Sequence, residues 1–215
     1  MKGSRAFAAC ALAALAGACS TVYYSTLEKV GVHKREILVD RVAEARDSQK
    51  EAKRQFVDAL EQFRSVVRVK GGDLEEKYAR LGAALKESEA EAERVHDRIA
   101  AVEDVAEALF AEWRKELGQY SDQGLRRSSQ EKLDLTRARY AKMIAAMRKA
   151  EAAIAPVLTP LRDQVLYLKH NLNAKAIAAL DDELLTVQAG VGRLLKEMEA
   201  SIAEADRFIK SLDPR

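Results

Sequence analysis

Apolar and small side chains recur along this chain at alternating steps of four and three residues. Leu38, Val42, Ala45, Gln49, Ala52, Phe56, Ala59, Phe63 and Val66 form one series. Leu74, Tyr78, Leu81, Leu85, Ser88, Ala92, Val95, Ile99, Val102, Ala106, Leu109 and Trp113 form a second. A third runs through Leu133, Thr136, Tyr140, Met143, Met147, Ala150, Ile154, Val157 and Leu161, reaching Leu168 after a looser step. The fourth is Ile177, Leu180, Leu184, Val187, Val191, Leu194, Met198, Ser201, Ala205, Phe208 and Leu212. A four-three alternation averages about 3.5 residues and keeps one seam on one side of a helix. Sustained over several heptads, it predicts helices packed as in a coiled coil.

Turn residues fall between these series. Gly71-Gly72 closes the first helix, and Asp73 with Glu76 has the spacing of a capping box opening the second. The segment from Gly118 to Gly124, with Ser121 and Asp122 inside it, is the second break. His170-Asn171-Leu172-Asn173 is the third, where either Asn can close one helix or cap the next. Such short connections force antiparallel neighbours. The expected fold is all-α, a long antiparallel four-helix bundle or coiled-coil rod with helices at about 25–70, 73–117, 125–170 and 174–212. A 45-residue helix is on the order of 65–70 Å long. Pro156 and Pro160 interrupt the third helix, but the seam keeps its register from Ile154 through Val157 to Leu161, which favours a kink there over a break at Thr159-Pro160.

Composition agrees with this pattern. Charged residues make up 33% of the chain and aromatic residues 6%, with 10 Gly and 3 Pro, which argues against collagen-like, low-complexity and all-β classes. Charge is distributed unevenly between the helices. The second, 73–117, carries 13 acids and 7 bases, and the third, 125–170, carries 10 bases and 4 acids. Adjacent helices of opposite sign can satisfy each other across the seam. The basic run Arg126, Arg127, Lys132, Arg137, Arg139 and Lys142 is therefore read as an internal partner of the acidic helix together with solvated faces.

The first residues read as an address. Lys2 and Arg5 precede an uncharged, Ala-rich run from Ala6 to Ala18, too short for a stable transmembrane helix. It ends in Leu15-Ala16-Gly17-Ala18-Cys19, with small residues before a cysteine. This predicts a lipoprotein signal at 1–18, cleaved between Ala18 and Cys19, with diacylglycerol on the Cys19 thiol and an acyl group on its new amino terminus. A lipidated tether at 19–24 and a single bundle domain at 25–215 follow. Ser20, in place of an Asp that would retain the protein at the inner membrane, points to the periplasmic face of the outer membrane. Cleavage removes Lys2 and Arg5 from the 36 cations and leaves 34 against 34 anions, which gives no electrostatic case for nucleic acid. Cys10 leaves with the signal and Cys19 takes the lipid, so no internal disulfide is expected.

Catalytic constellations are weak. Glu93 and His96 have the one-turn spacing of di-iron carboxylate bundles, but those sites need two such pairs and two more Glu, and both residues sit off the seam centre. The Gly71-Gly72 pair lacks the Lys-Ser/Thr of a phosphate loop, and no Gly-x-Ser-x-Gly or HExxH is present. No enzyme, no metal site and no cofactor beyond the covalent lipid are expected. Two aromatic groups are candidate contact sites. Phe110, Trp113 and Tyr120 surround the second break as partner-binding candidates, with end-of-bundle core as the competing reading. Tyr23 and Tyr24 follow the lipid closely and are candidates for the membrane interface.

Three stretches carry a family resemblance: Leu27 to Val42 (LEKVGVHKREILVDRV), Gln62 to Val67 (QFRSVV) with Gly71-Gly72-Asp73-Leu74, and Leu161 to Ala174 (LRDQVLYLKHNLNA). They resemble an uncharacterised proteobacterial family, commonly labelled as lipoproteins and catalogued only as a domain of unknown function. The resemblance spans nearly the whole mature chain and implies an envelope protein, without any functional residue to carry over. The expected function is a non-catalytic, lipid-anchored periplasmic scaffold or adaptor of the outer membrane, with an envelope protein or a second copy as partner. The alternative is a membrane-remodelling or envelope-stress protein acting on the bilayer through long helical hairpins.

Overall fold

The computed structural model describes residues 33–69, 73–173, 177 and 180–212. Cys19, Tyr23, Tyr24, Gly71 and Gly72, with the signal and tether expected around the first three, lie outside the described residues. Five long helices and no strand occur among the described residues. They are α1, Lys34–Val67; α2, Leu74–Glu116; α3, Gln123–Ala152; α4, Ala155–Leu168; and α5, Asp181–Leu212. A 3-10 turn, Leu117–Gln119, closes α2.

The seams read from the sequence are the core. Every member of the first series is buried, from Leu38 to Val66, as is every member of the fourth, from Ile177 to Leu212. In the second series Leu74, Tyr78, Ala92 and Trp113 are half-buried, and in the third only Tyr140 is. Residues flanking the seam, among them Leu60, Val105, Phe110 and Leu158, are buried too. A stripe wider than two positions per heptad is what a helix needs when it touches two neighbours instead of one.

Cross-helix pairs give the topology. Lys34–Glu112 and Arg98–Glu44, with the Gln55 amide on the Ala84 carbonyl, run in opposite directions along α1 and α2. Lys142–Glu204 and Lys149–Glu197 do the same for α3 and α5, and Arg46–Asp206 with Lys53–Glu199 for α1 and α5. The helices therefore alternate up and down around a square, with α1 and the combined α3–α4 at opposite corners. At about 1.5 Å per residue, the 43 residues of α2 make a rod roughly 65 Å long.

The third helix of the sequence reading is divided. The ladder parts at Ala153–Ile154, one turn ahead of the missing Pro156 donor, and Pro160 lies inside α4. The reason is the Pro156 ring, which removes the bond to Ala152 and crowds its carbonyl. Three-residue bonds repair the gap: Ile154 N–H to Glu151 O at 2.9 Å and Val157 N–H to Ile154 O at 2.9 Å. Both Ala153 and Ile154 keep right-handed helical dihedrals, so the seam passes through the division in register. Arg148–Glu103 before it and Arg162–Glu89 after it keep the same offset against α2.

Helix ends bring one further correction. Asp73 is the residue preceding α2, but its φ of −100° and ψ of 19° turn its carboxylate away from the first turn, and no side-chain cap forms. Glu76 pairs with Arg80 instead, so the capping box expected there is absent. Asp122 is a true cap, accepting the Leu125 N–H at 2.8 Å, which starts α3 two residues earlier than read. Asn171 closes α4 by donating its side-chain amide to the Tyr167 carbonyl at 2.9 Å.

Candidate functional site

The bundle end where α1 begins holds the three partner-binding candidates, Phe110, Trp113 and Tyr120. Lys34 Nζ lies 3.1 Å from Glu112 Oε1, and the Arg35 guanidinium donates to the Leu212 carbonyl. The start of α1 and the end of α5 thus meet the last turns of α2. A layer of rings fills the space below: Phe110 edge-on to Tyr140, centroids 5.4 Å apart, and Tyr140 edge-on to Phe208 at 6.2 Å. Burial, with Glu103 nearby, pushes the Tyr140 phenol up to about 12, so this layer stays uncharged across the physiological range.

The three partner-binding candidates are not brought together as an exposed cluster. Phe110 is buried in the ring layer. Trp113 is half-buried at the core edge, donating its indole N–H to Ser129 Oγ at 2.9 Å. Tyr120 alone of the three is exposed. Composition around Gly118–Gly124 could not separate these, because an aromatic near a helix end fits a core and a contact surface equally well.

α3 overhangs this end. Beyond the ring layer α5 continues only from Phe208 to Leu212, whereas α3 runs back from Tyr140 to Gln123, a further 25 Å or so. Leu133 and Thr136 are the buried residues on that stretch, and Leu125 is 60% exposed. The basic run therefore does not neutralise the acidic helix: its last member, Lys142, is held by Glu204 of α5 instead. Arg148, beyond the run, grips Glu103 of α2 with two nitrogens and holds Glu151 at 2.6 Å. Arg126, Arg127, Lys132, Arg137 and Arg139 form no ion pair among the described residues.

At the base of the overhang, α3 and α5 enclose a cleft of about 340 Å³ lined by Arg139, Lys142, Glu204, Arg207, Phe208 and Ser211. Glu204 is the one acid in it. Bonds from Arg207 at 3.1 Å and from Lys142 at 2.9 Å hold its carboxyl at about 2, against the usual 4.5. Because the folded value is depressed, this contribution to stability is present above about pH 4.5 and lost as the pH falls towards 2. We expect carbon-detected NMR to give a Glu204 midpoint near 2, moving towards 4.5 in Arg207→Ala. A wild-type midpoint already at 4.5 would break the clamp between α3 and α5.

Elsewhere the candidates for chemistry stay apart. His96 Nδ1 sits 2.6 Å from Glu151 Oε1, while Glu93 points to solvent. No group of three or more metal-ligating side chains is assembled among the described residues. No described helix is long and apolar enough to cross a membrane.

A family model described as protein of unknown function (DUF2959) matches residues 23–212, nearly the whole chain. The chain belongs to that family. No curated protein matches it. The DUF2959 match begins ten residues before the first described residue, so the segment from Tyr23 to Val32 is part of the family's domain together with the bundle. The ring layer, the cationic overhang and the cleft all lie within the matched span.

Proposed function

We propose that this DUF2959 chain is a non-catalytic, lipid-anchored helical scaffold or adaptor on the periplasmic face of the outer membrane. The observation that supports it most is the place of His33. This residue precedes α1 at one tip of a rod roughly 65 Å long, fourteen residues after Cys19. A diacylglycerol and an N-acyl chain on Cys19 hold that tip at the inner leaflet of the outer membrane, since more than one chain gives stable anchoring. The far tip, between Val67 and Leu74 and between Leu168 and Asp181, is then the end free of the anchor and presents itself to an envelope protein.

The core favours a structural role over ligand capture. Ala45, Ala52 and Ala59 are fully buried along α1, so the helices approach closely and leave little room between them. The test begins with the anchor. Intact mass spectrometry of protein extracted from membranes should show loss of residues 1–18 and a triacylated Cys19. Cys19→Ser should move the chain to the soluble periplasmic fraction. An unmodified Cys19 in the soluble fraction of wild-type cells would end this reading.

A further inference from the structure

The overhang carries a second four-three series, on the outside of α3. Leu125, Ser128, Lys132, Leu135, Arg139 and Lys142 follow the same helical rhythm as the core seam, yet all six are exposed. Leu125 is 60% and Leu135 51% exposed. The stripe leads into the cleft, where Arg207 of α5 extends it. Between Gln123 and Lys142 the acids are Glu131 and Asp134, against six bases. Lys142 is the base of those six with an acidic partner, Glu204.

We propose that this stripe is a docking surface for the headgroups of an anionic phospholipid bilayer. Charge complementarity selects the occupant. Two copies of the stripe would bring like charges together, which excludes self-pairing along it. Leucines spaced among cations suit the headgroup region, where apolar side chains enter the interface and the cations meet phosphates. Chain geometry points the same way: the stripe lies at the tip where α1 begins, the end nearer in sequence to Cys19, so an anchor there brings it to the membrane surface. The inference rests on the anchored-tip reading for its orientation, and it fixes the rod with α3 against the bilayer.

The test uses the mature chain with Cys19→Ser, so that no lipid contributes. The probes are vesicles of phosphatidylglycerol with phosphatidylethanolamine, and of phosphatidylcholine alone. Sedimentation should show binding to the anionic vesicles, weakened by salt, and none to phosphatidylcholine. Lys132→Glu with Arg139→Glu should weaken binding by on the order of 30-fold or more. Lys86→Glu with Lys196→Glu makes the same charge change on exposed sites elsewhere and should leave binding within about twofold. Both double variants alter exposed residues without ion pairs among the described residues, and circular dichroism checks that they fold. Equal binding to both vesicle types, no binding to either, or equal loss in both double variants would overturn the proposal. Acylation of Cys19 is read separately by mass, so failure of the stripe and failure of the anchor give different results.

Discussion

Phe56→Ala should lower the stability of the bundle by about 3–5 kcal/mol. Phe56 is completely buried and stands near the middle of α1, preceded and followed on the seam by Ala52 and Ala59, also completely buried. Those alanines allow α1 to lie close against its neighbours, but they cannot move in to fill the space a phenyl ring leaves. The cavity therefore persists, and its cost adds to the lost transfer energy. For a domain of this size each kcal/mol is worth about 2–4 °C, so the melting temperature should fall by roughly 6–20 °C. A fall under about 1 kcal/mol would mean that the core around α1 is loosely packed and able to collapse.

Gln49→Met should act in the opposite direction, raising stability by about 1–3 kcal/mol. Gln49 occupies a seam position and is completely buried, and neither its amide oxygen nor its amide nitrogen has a hydrogen-bond partner. The Ser201 hydroxyl on α5 is in the same condition. Arg46–Asp206 and Lys53–Glu199 bracket both residues, which places Gln49 and Ser201 in one polar layer of the core. An unpaired buried amide loses its hydration without recovering a bond, whereas methionine fills a similar volume with no polar atom to desolvate. The gain should be seen as a denaturation midpoint shifted upward at unchanged slope. Loss of stability in Gln49→Met would show that buried water completes the layer.

That same residue shows how far the sequence could be read. Spacing alone places Gln49, Ser88, Thr136 and Ser201 on the seams, against their polarity, and all four are buried. Periodicity survives such substitutions because the helix fixes side-chain direction whatever the residue. What spacing could not settle was local dihedral geometry. Asp73 has the right residue type and the right Glu three positions on, but a cap also requires an extended backbone, which it lacks. Pro156 and Pro160 both announce trouble in a helix, yet only Pro156 divides it, and Pro160 lies inside α4.

The candidate site was legible in its residues more than in its arrangement. The basic run from Arg126 to Lys142 stands out in the sequence, and its proximity to an acidic helix suggests neutralisation. Overhang defeats that reading: five of the six cations form no ion pair among the described residues, and Lys142 pairs with Glu204 of α5. α2 spends its acids along the bundle, at Glu89, Glu103 and Glu112, while α3 extends past the start of α1 and the end of α5. Helix lengths beyond the last shared core layer set this difference, and a charge count per helix does not contain them. The ring layer taught the reverse lesson. Phe110 looked available beside a glycine-bounded break, but Tyr140 and Phe208 arrive from distant parts of the chain to cover it.

The anchored-rod reading assigns different surroundings to the two tips, and photo-crosslinking in living cells reads both at once. Photoreactive residues at Gln119 and Asp122 report on the tip where α1 begins, and those at Asp73 and His170 on the opposite tip. Mass spectrometry of the adducts should find phospholipid at Gln119 or Asp122 and one dominant envelope protein at Asp73 or His170. Phospholipid at neither of the first two positions, or only further copies of this chain at the second two, would contradict a scaffold held at one end and engaged at the other.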